Sequence, residues 1–217
     1  MEEIRETGGA RIGIANATWP LATLIVNQQT LQLRASIIGD LIFKPTDVIS
    51  IEPYTLIPVL GQGIKINHTV PGYNAKVIFW TFGSPEALIR KIEQTGFLVN
   101  KNSIPADVSA TVETAQSGGS FPVKTSAAIV IVLIWNILFF HDILKISTSK
   151  FTGFPLGIGA QTALAFVFLI CLLLLISAPI RSLILKPGKE ISGIKSFLFL
   201  LMLITLVMFT AISIFPK

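Results

Sequence analysis

Three long apolar stretches constrain this chain more than any other feature. "SAAIVIVLIWNILFF" lies within residues 124–144, "ALAFVFLICLLLLISAPI" within 157–180, and "SFLFLLMLITLVMFTAISIF" within 196–215. A bilayer core needs about 20 consecutive apolar residues in a helix. The second and third stretches meet that length with no internal charge, and the first meets it up to His141 and Asp142. Each is therefore expected to be a transmembrane helix, and residues 123–217 an all-α membrane domain.

Charge follows the same division. Residues 1–97 carry equal numbers of basic and acidic side chains, whereas beyond residue 125 seven Lys/Arg face only Asp142 and Glu190. The formal charge of +5 thus belongs to the membrane half. Its bases flank apolar segments, so a nucleic-acid partner is not expected. Orientation follows from Lys and Arg in short loops. Arg181, Lys186, Lys189 and Lys195 lie between the second and third stretches, against Lys145 and Lys150 between the first and second. The former loop is expected in the cytoplasm, with the N-terminal half beside it and Lys217 on the far side. The opening residues are charged and polar, without an apolar run of signal-peptide length, which agrees. The single cysteine, Cys171, sits in an apolar run and has no partner for a disulfide.

Residues 1–9 read as a tail and residues 98–122, "LVNKNSIPADVSATVETAQSGGSFP", as a flexible linker of Ser, Ala, Thr, Gly and Pro. A coil of about 25 residues spans roughly 25–30 Å. Between them, alternation and β-branched content predict strands near residues 22–27, 30–37, 40–44, 47–54, 63–69 and 75–82. A further strand over 11–15 is possible. Asn27-Gln28-Gln29, Gly39, Lys44-Pro45, residues 58–61 and Pro71-Gly72-Tyr73-Asn74 supply the turns, a pattern of short links that predicts an antiparallel meander closing into a barrel.

"GSPEALIRKIEQTGF" then marks a helix. Ser84 suits the N-cap, Pro85 the first helical position and Glu86 the positive end of the dipole. Leu88, Ile89 and Ile92 form one face, and Gly96 is placed to end the helix with Phe97 as a hydrophobic contact. Ser84 is thus a cap rather than a nucleophile, as no G-x-S-x-G surrounds it.

This order of parts resembles the pleckstrin-homology superfold, particularly bacterial PH-like and GRAM-like domains. The residues that carry the resemblance are "WPLATLIVNQQTLQLRA" for the first hairpin, "LIFKPTDVISIEP" for the third and fourth strands, and "KVIFWTFGSPEALIRKIEQTGF" for the closing strand and helix. It covers residues 10–97. It implies a β-rich PH-like barrel of six or seven antiparallel strands plus one C-terminal helix, coupled to transmembrane helices in a bacterial cytoplasmic membrane. It also implies binding of lipid headgroups, peptides or proteins rather than catalysis. Phosphoinositide-binding members need clustered positive charge, whereas the turn Asn27-Gln28-Gln29 has none and only Arg34 and Lys44 lie nearby.

Candidate contact residues are Leu56, Ile57, Val59 and Leu60 in "YTLIPVLGQG", an apolar loop that either meets lipid or a partner or fills the barrel mouth. In the spans, Asn136 is a candidate for bonding to a neighbouring helix, and Gly159 and Ala163 form a small-xxx-small pair suited to close helix packing. His141, Asp142 and Lys145 read as an interfacial cluster. His68 and His141 stand far apart, and no Cys/His/Asp/Glu group has metal spacing, so neither a metal nor another cofactor is expected. The chain reads as a non-catalytic, membrane-anchored binding or scaffold protein whose partners are the bilayer and a membrane protein or a second copy of itself. The alternative is a transporter or channel subunit with the soluble domain regulatory.

Overall fold

The computed structural model describes residues 3–57, 61–100, 104–148 and 157–214. The chain divides into two compact units. One comprises residues 1–122 together with 186–196; the other comprises 123–185 with 197–217.

The first unit is built on seven antiparallel strands in the order β4-β3-β2-β1-β7-β6-β5. They are β1 (Ile4–Ile12), β2 (Ala15–Val26), β3 (Leu31–Ala35), β4 (Gly39–Phe43), β5 (Val48–Ile57), β6 (Gly61–His68) and β7 (Val77–Trp80). The sheet curls into a half-barrel with β4 and β5 as its two ends. Alternation aims Leu31, Leu33, Leu41, Phe43, Ile64 and Ile66 inward, all with no exposed surface. Each such side chain contributes about 1.5–3 kcal/mol through removal from water.

The sheet begins earlier than the pattern predicts. Residues 4–9, read as tail, belong to β1, and residues 11–15, read as a strand, hold the β1–β2 turn with Gly13 at φ 62°. Gly8-Gly9 signals a turn by composition, but packing sets the choice. A Cβ on Gly8 would lie 2.6 Å from Cζ of the buried Phe79 ring.

Helix α1 (Pro85–Gln94) follows β7 as expected. Ser84 Oγ accepts from Ala87 N at 3.2 Å, Gly96 takes φ 75°, and Leu88, Ile92 and Phe97 complete the core. The stretch 98–122 is not simply a tether, which corrects the expected linker. It contains α2 (Ala106–Ser117), which buries Val112 and Ala115. Gln116 Nε2 donates to the Ile42 carbonyl at 3.0 Å and to Asp47 at 2.8 Å, and Lys44 pairs with Glu113 at 3.0 Å. The Asp40 amide donates to the Ser120 carbonyl at 2.9 Å, so residues 116–120 occupy the free edge of β4.

The second unit is helical: α3 (Thr125–Thr148), α4 (Ile158–Ile176), α5 (Ala178–Ile184) and α6 (Lys195–Ile214). Helices α3, α4 and α6 are long and apolar enough to cross a membrane. The second expected span, 157–180, stops at Ile176 because Pro179 cannot continue the helix, and α5 starts anew with Ser177 Oγ accepting from Ile180 N at 3.4 Å. At its foot, Lys124 N donates to the Ile184 carbonyl at 2.8 Å and Lys124 Nζ to that of Ser182 at 2.7 Å.

Two glycines give a direct test of the sheet geometry. A Cβ on Gly63 would collide with the Phe79 backbone, whereas one on Gly83 would meet nothing closer than Thr81 Oγ1 at 3.6 Å. Gly63→Val is therefore expected to cost about 3 kcal/mol or more and Gly83→Val less than about 1 kcal/mol. Chemical denaturation of the purified variants checks this; equal losses would contradict the β6–β7 pairing.

Candidate functional site

The most distinctive concave surface lies where the β1–β2 ladder loses register. Gly8 pairs with Ala22 and Ala10 with Ala17, so residues 18–21 of β2 stand opposite Gly9 alone. An insertion of this kind turns side chains out of the ladder. It leaves Trp19 56% exposed, edge-on to Phe82 with ring centroids 5.8 Å apart, and Phe82 is 80% exposed. Trp80, the last residue of β7, tilts against Tyr54 at 5.7 Å. With Leu56, 58% exposed near the end of β5, they border a cleft of about 440 Å³. Asn16, Thr18, Gln62 and Thr81 supply polar groups, and no described lining residue carries a formal charge.

Among the contact residues read from sequence, Leu56 lines this cleft. Ile57 ends β5, and Val59 and Leu60 lie outside the described residues. Trp19 and Phe82 escaped sequence reading because a lone aromatic has no periodicity. The Trp-Pro pair interrupting a strand pattern was the available signal.

A second construction concerns the segment joining α5 to α6, residues 186–196, which packs within the first unit. Lys189 is buried, and its Nζ donates to the Asp40 backbone carbonyl at 2.6 Å. Arg34 Nη1 donates to Ser192 Oγ at 2.7 Å and Nη2 to Glu190 at 3.0 Å. Lys186 Nζ reaches the Gly118 carbonyl at 2.8 Å, and its amide donates to the Pro122 carbonyl at 2.9 Å. Gln32 donates to the Asp40 carboxylate at 2.9 Å. Burial lifts the Asp40 carboxyl above its ordinary value, opposed by Lys189, Gln32 and Arg34. Burial also holds the Lys189 ammonium below its ordinary value, opposed by Asp40. The pair is a packed junction between the outer face of β3–β4 and the connector.

In the helical unit, Gly159 and Ala163 are buried, and a Cβ on Gly159 would lie 2.8 Å from the Leu138 carbonyl oxygen. Asn136 Nδ2 donates to the Val132 carbonyl of its own helix at 2.7 Å. Of the expected cluster, His141 Nδ1 stays 3.5 Å from Asp142 Oδ1, and Asp142 has a further role. Its carboxylate accepts from the amides of Gly157 (2.8 Å), Gly159 (3.0 Å) and Ala160 (2.7 Å), capping α4 from α3. Gln161 Nε2 donates to Ser213 Oγ at 3.0 Å, linking α4 to α6.

Chemistry beyond binding finds few groups. Among the described residues, no cluster of three or more His, Cys, Asp or Glu could hold a metal ion. His68 packs against the Phe43 and Tyr73 rings, which also touch each other, with Nε2 at 2.9 Å from the Asn74 carbonyl. Ser84 Oγ also donates to Glu86 at 2.6 Å and so is engaged on both sides. No family model matches the chain, and comparison with curated proteins and with solved structures finds no match either.

The connector junction yields two tests. Removing the ammonium in Lys189→Ala leaves the Asp40 carboxylate buried with less compensation, a change that costs about 3 kcal/mol. Trypsin cleavage at Lys195 is expected to rise on the order of 10- to 100-fold, read by mass spectrometry, while the sheet persists by circular dichroism. The second test is pH. Asp40 has a folded pKa above its unfolded value, so its proton-linked stabilisation is complete below the ordinary carboxylate range. It is lost as pH rises through the folded value. Thermal midpoints of wild type relative to Asp40→Asn are therefore expected to fall as pH rises from about 4 towards neutrality.

Proposed function

We propose that this chain is a membrane-anchored binding protein, non-catalytic, whose first unit is a PH-like module presenting a neutral aromatic cleft to a partner at the membrane surface. The strand order with one helix directly after β7 supports the PH-like reading. Three helices long and apolar enough to span a bilayer support the anchoring. The observation that carries the binding role is the cleft itself. Trp19, Phe82 and Leu56 stand in water at a break in the ladder, where exposed apolar groups are costly unless something covers them.

Because residues 186–196 belong to the same compact unit as the half-barrel, this connector and the module share one side of the bilayer. The Lys and Arg content of the connector and its flank favours the cytoplasmic side of a bacterial inner membrane. Attachment to the membrane raises local concentration, so a weak contact suffices for occupancy. The membrane helices then serve as anchor.

Site-specific photo-crosslinking in native membranes tests the reading. A photoreactive residue at Leu56 is expected to capture one reproducible protein or lipid product, reduced at least ten-fold by Trp19→Asp. The same probe at Glu93, exposed on α1, is expected to give no such product. Equal yields at both positions would contradict a binding role for the cleft. A reporter fused to the N-terminus is expected to register cytoplasmic, and an exported signal would overturn the orientation.

A further inference from the structure

Beyond anchoring, α3 carries a surface independent of the cleft. Its span, Thr125–Asp142, is the least buried of the three. Leu138 and Asp142 mark the side of α3 that meets α4, since a Cβ on Gly159 would lie 2.8 Å from the Leu138 carbonyl oxygen and 2.9 Å from Asp142 Cγ. Asn136, two residues before Leu138, is exposed and stands about 200° round the helix from it. On that outer side Ile129, Leu133 and Phe140 are 52–56% exposed. Together with Asn136 they recur at steps of four, three and four residues, the spacing of a coiled-coil seam.

Asn136 sits at the midpoint of α3. One hydrogen of its Nδ2 goes to the Val132 carbonyl at 2.7 Å, and among the described residues nothing meets its second N–H or its Oδ1. In hydrocarbon, unlike in water, such groups stay unanswered unless protein meets them. Lipid tails offer neither donor nor acceptor, and a foreign helix would need a polar group at this same depth. A second copy supplies one automatically. About a two-fold axis along the bilayer normal, each residue near the seam meets its own counterpart at equal depth. A carboxamide both donates and accepts. The free N–H of each Asn136 can therefore donate to the Oδ1 of the other while both bonds to Val132 remain.

We propose that this chain forms a parallel homodimer through the outer face of α3, with the Asn136 carboxamides of the two copies bonded to each other across the two-fold axis. Ile129, Leu133 and Phe140 pack around that pair, and their spacing sets a left-handed crossing of the two helices. The one polar position in the seam fixes the register, because a shift along the axis separates the two carboxamides.

The test uses the full chain carrying Cys171→Ser, so that one introduced cysteine is the only thiol, oxidised in native membranes. Leu133→Cys and Phe140→Cys are expected to give a disulfide-linked product of twice the chain mass, because their counterparts lie within bonding reach across the axis. Its yield is expected to be about ten-fold or more above that of Val207→Cys, which is equally exposed but lies on α6. A second arm measures Förster transfer between donor- and acceptor-labelled copies in phosphatidylcholine liposomes as the protein is diluted with lipid. Asn136→Leu is expected to weaken association about five-fold or more, and Asn136→Gln, which keeps the carboxamide, by less than about three-fold. Leucine suits a lipid-facing helix, so helix content by circular dichroism is expected to stay unchanged in Asn136→Leu. Equal yields at Val207 and Leu133, a crosslinked product containing a different protein, or association indifferent to Asn136→Leu would each overturn the homodimer. Photo-crosslinking at Leu56 probes the cleft separately, so failure of the dimer and failure of the binding role are told apart.

Discussion

The buried ammonium of Lys189 against the Asp40 backbone is the contact on which the arrangement of the first unit depends. Burying a lysine is unfavourable unless its charge is answered. Here a carbonyl oxygen 2.6 Å away and the nearby Asp40 carboxyl, itself held by Gln32, answer it. Arg34 adds Glu190 and Ser192, so the outer face of β3–β4 is covered by a segment more than 140 residues further along the chain. The soluble fold is therefore discontinuous. Residues 1–122 lack part of their cover until the connector between α5 and α6 has been made.

That constraint connects sequence to topology and topology to function. The connector and the half-barrel form one compact unit, and α3 and α4, both long and apolar enough to cross a membrane, lie between them in the chain. The β4 edge is taken by residues 116–120, and the core is closed by α1 and Phe97. The cleft at Trp19 and Phe82 is where the unit still offers exposed rings.

Much of the fold was legible from residues alone, for physical reasons. The spans announce themselves by length, and Ser84-Pro85-Glu86 encodes a helix start in three side chains. The hairpins around Asn27 and Pro71-Gly72 follow from turn chemistry. The missed parts are those in which tertiary packing overrides local preference. β1 contains Gly8-Gly9 because Phe79 and Trp80 need the space, which no local rule can see. Helix α2 shows only Val112 and Ala115 to the core, too few for a clear apolar face. Lys189 sits among basic residues and reads as an orientation signal, yet it is buried. Asp142 keeps the expected contact with His141, but its second role, as cap for the next helix, has no local signal. Of the candidate site, Leu56 was legible as apolar in a loop, but Trp19, Trp80 and Phe82 come together only through the register break in β2.

Hydrogen–deuterium exchange of the full chain in nanodiscs tests the discontinuous unit most directly. Asp40 N donates to Ser120, Lys186 N to Pro122 and Lys189 N to Lys186 in this arrangement. The account predicts that peptides covering residues 186–196 exchange slowly, together with those of β3 and β4, and that Lys189→Ala releases the connector first. Exchange of 186–196 at the rate of an unstructured peptide, with β3 and β4 fully protected, would contradict it.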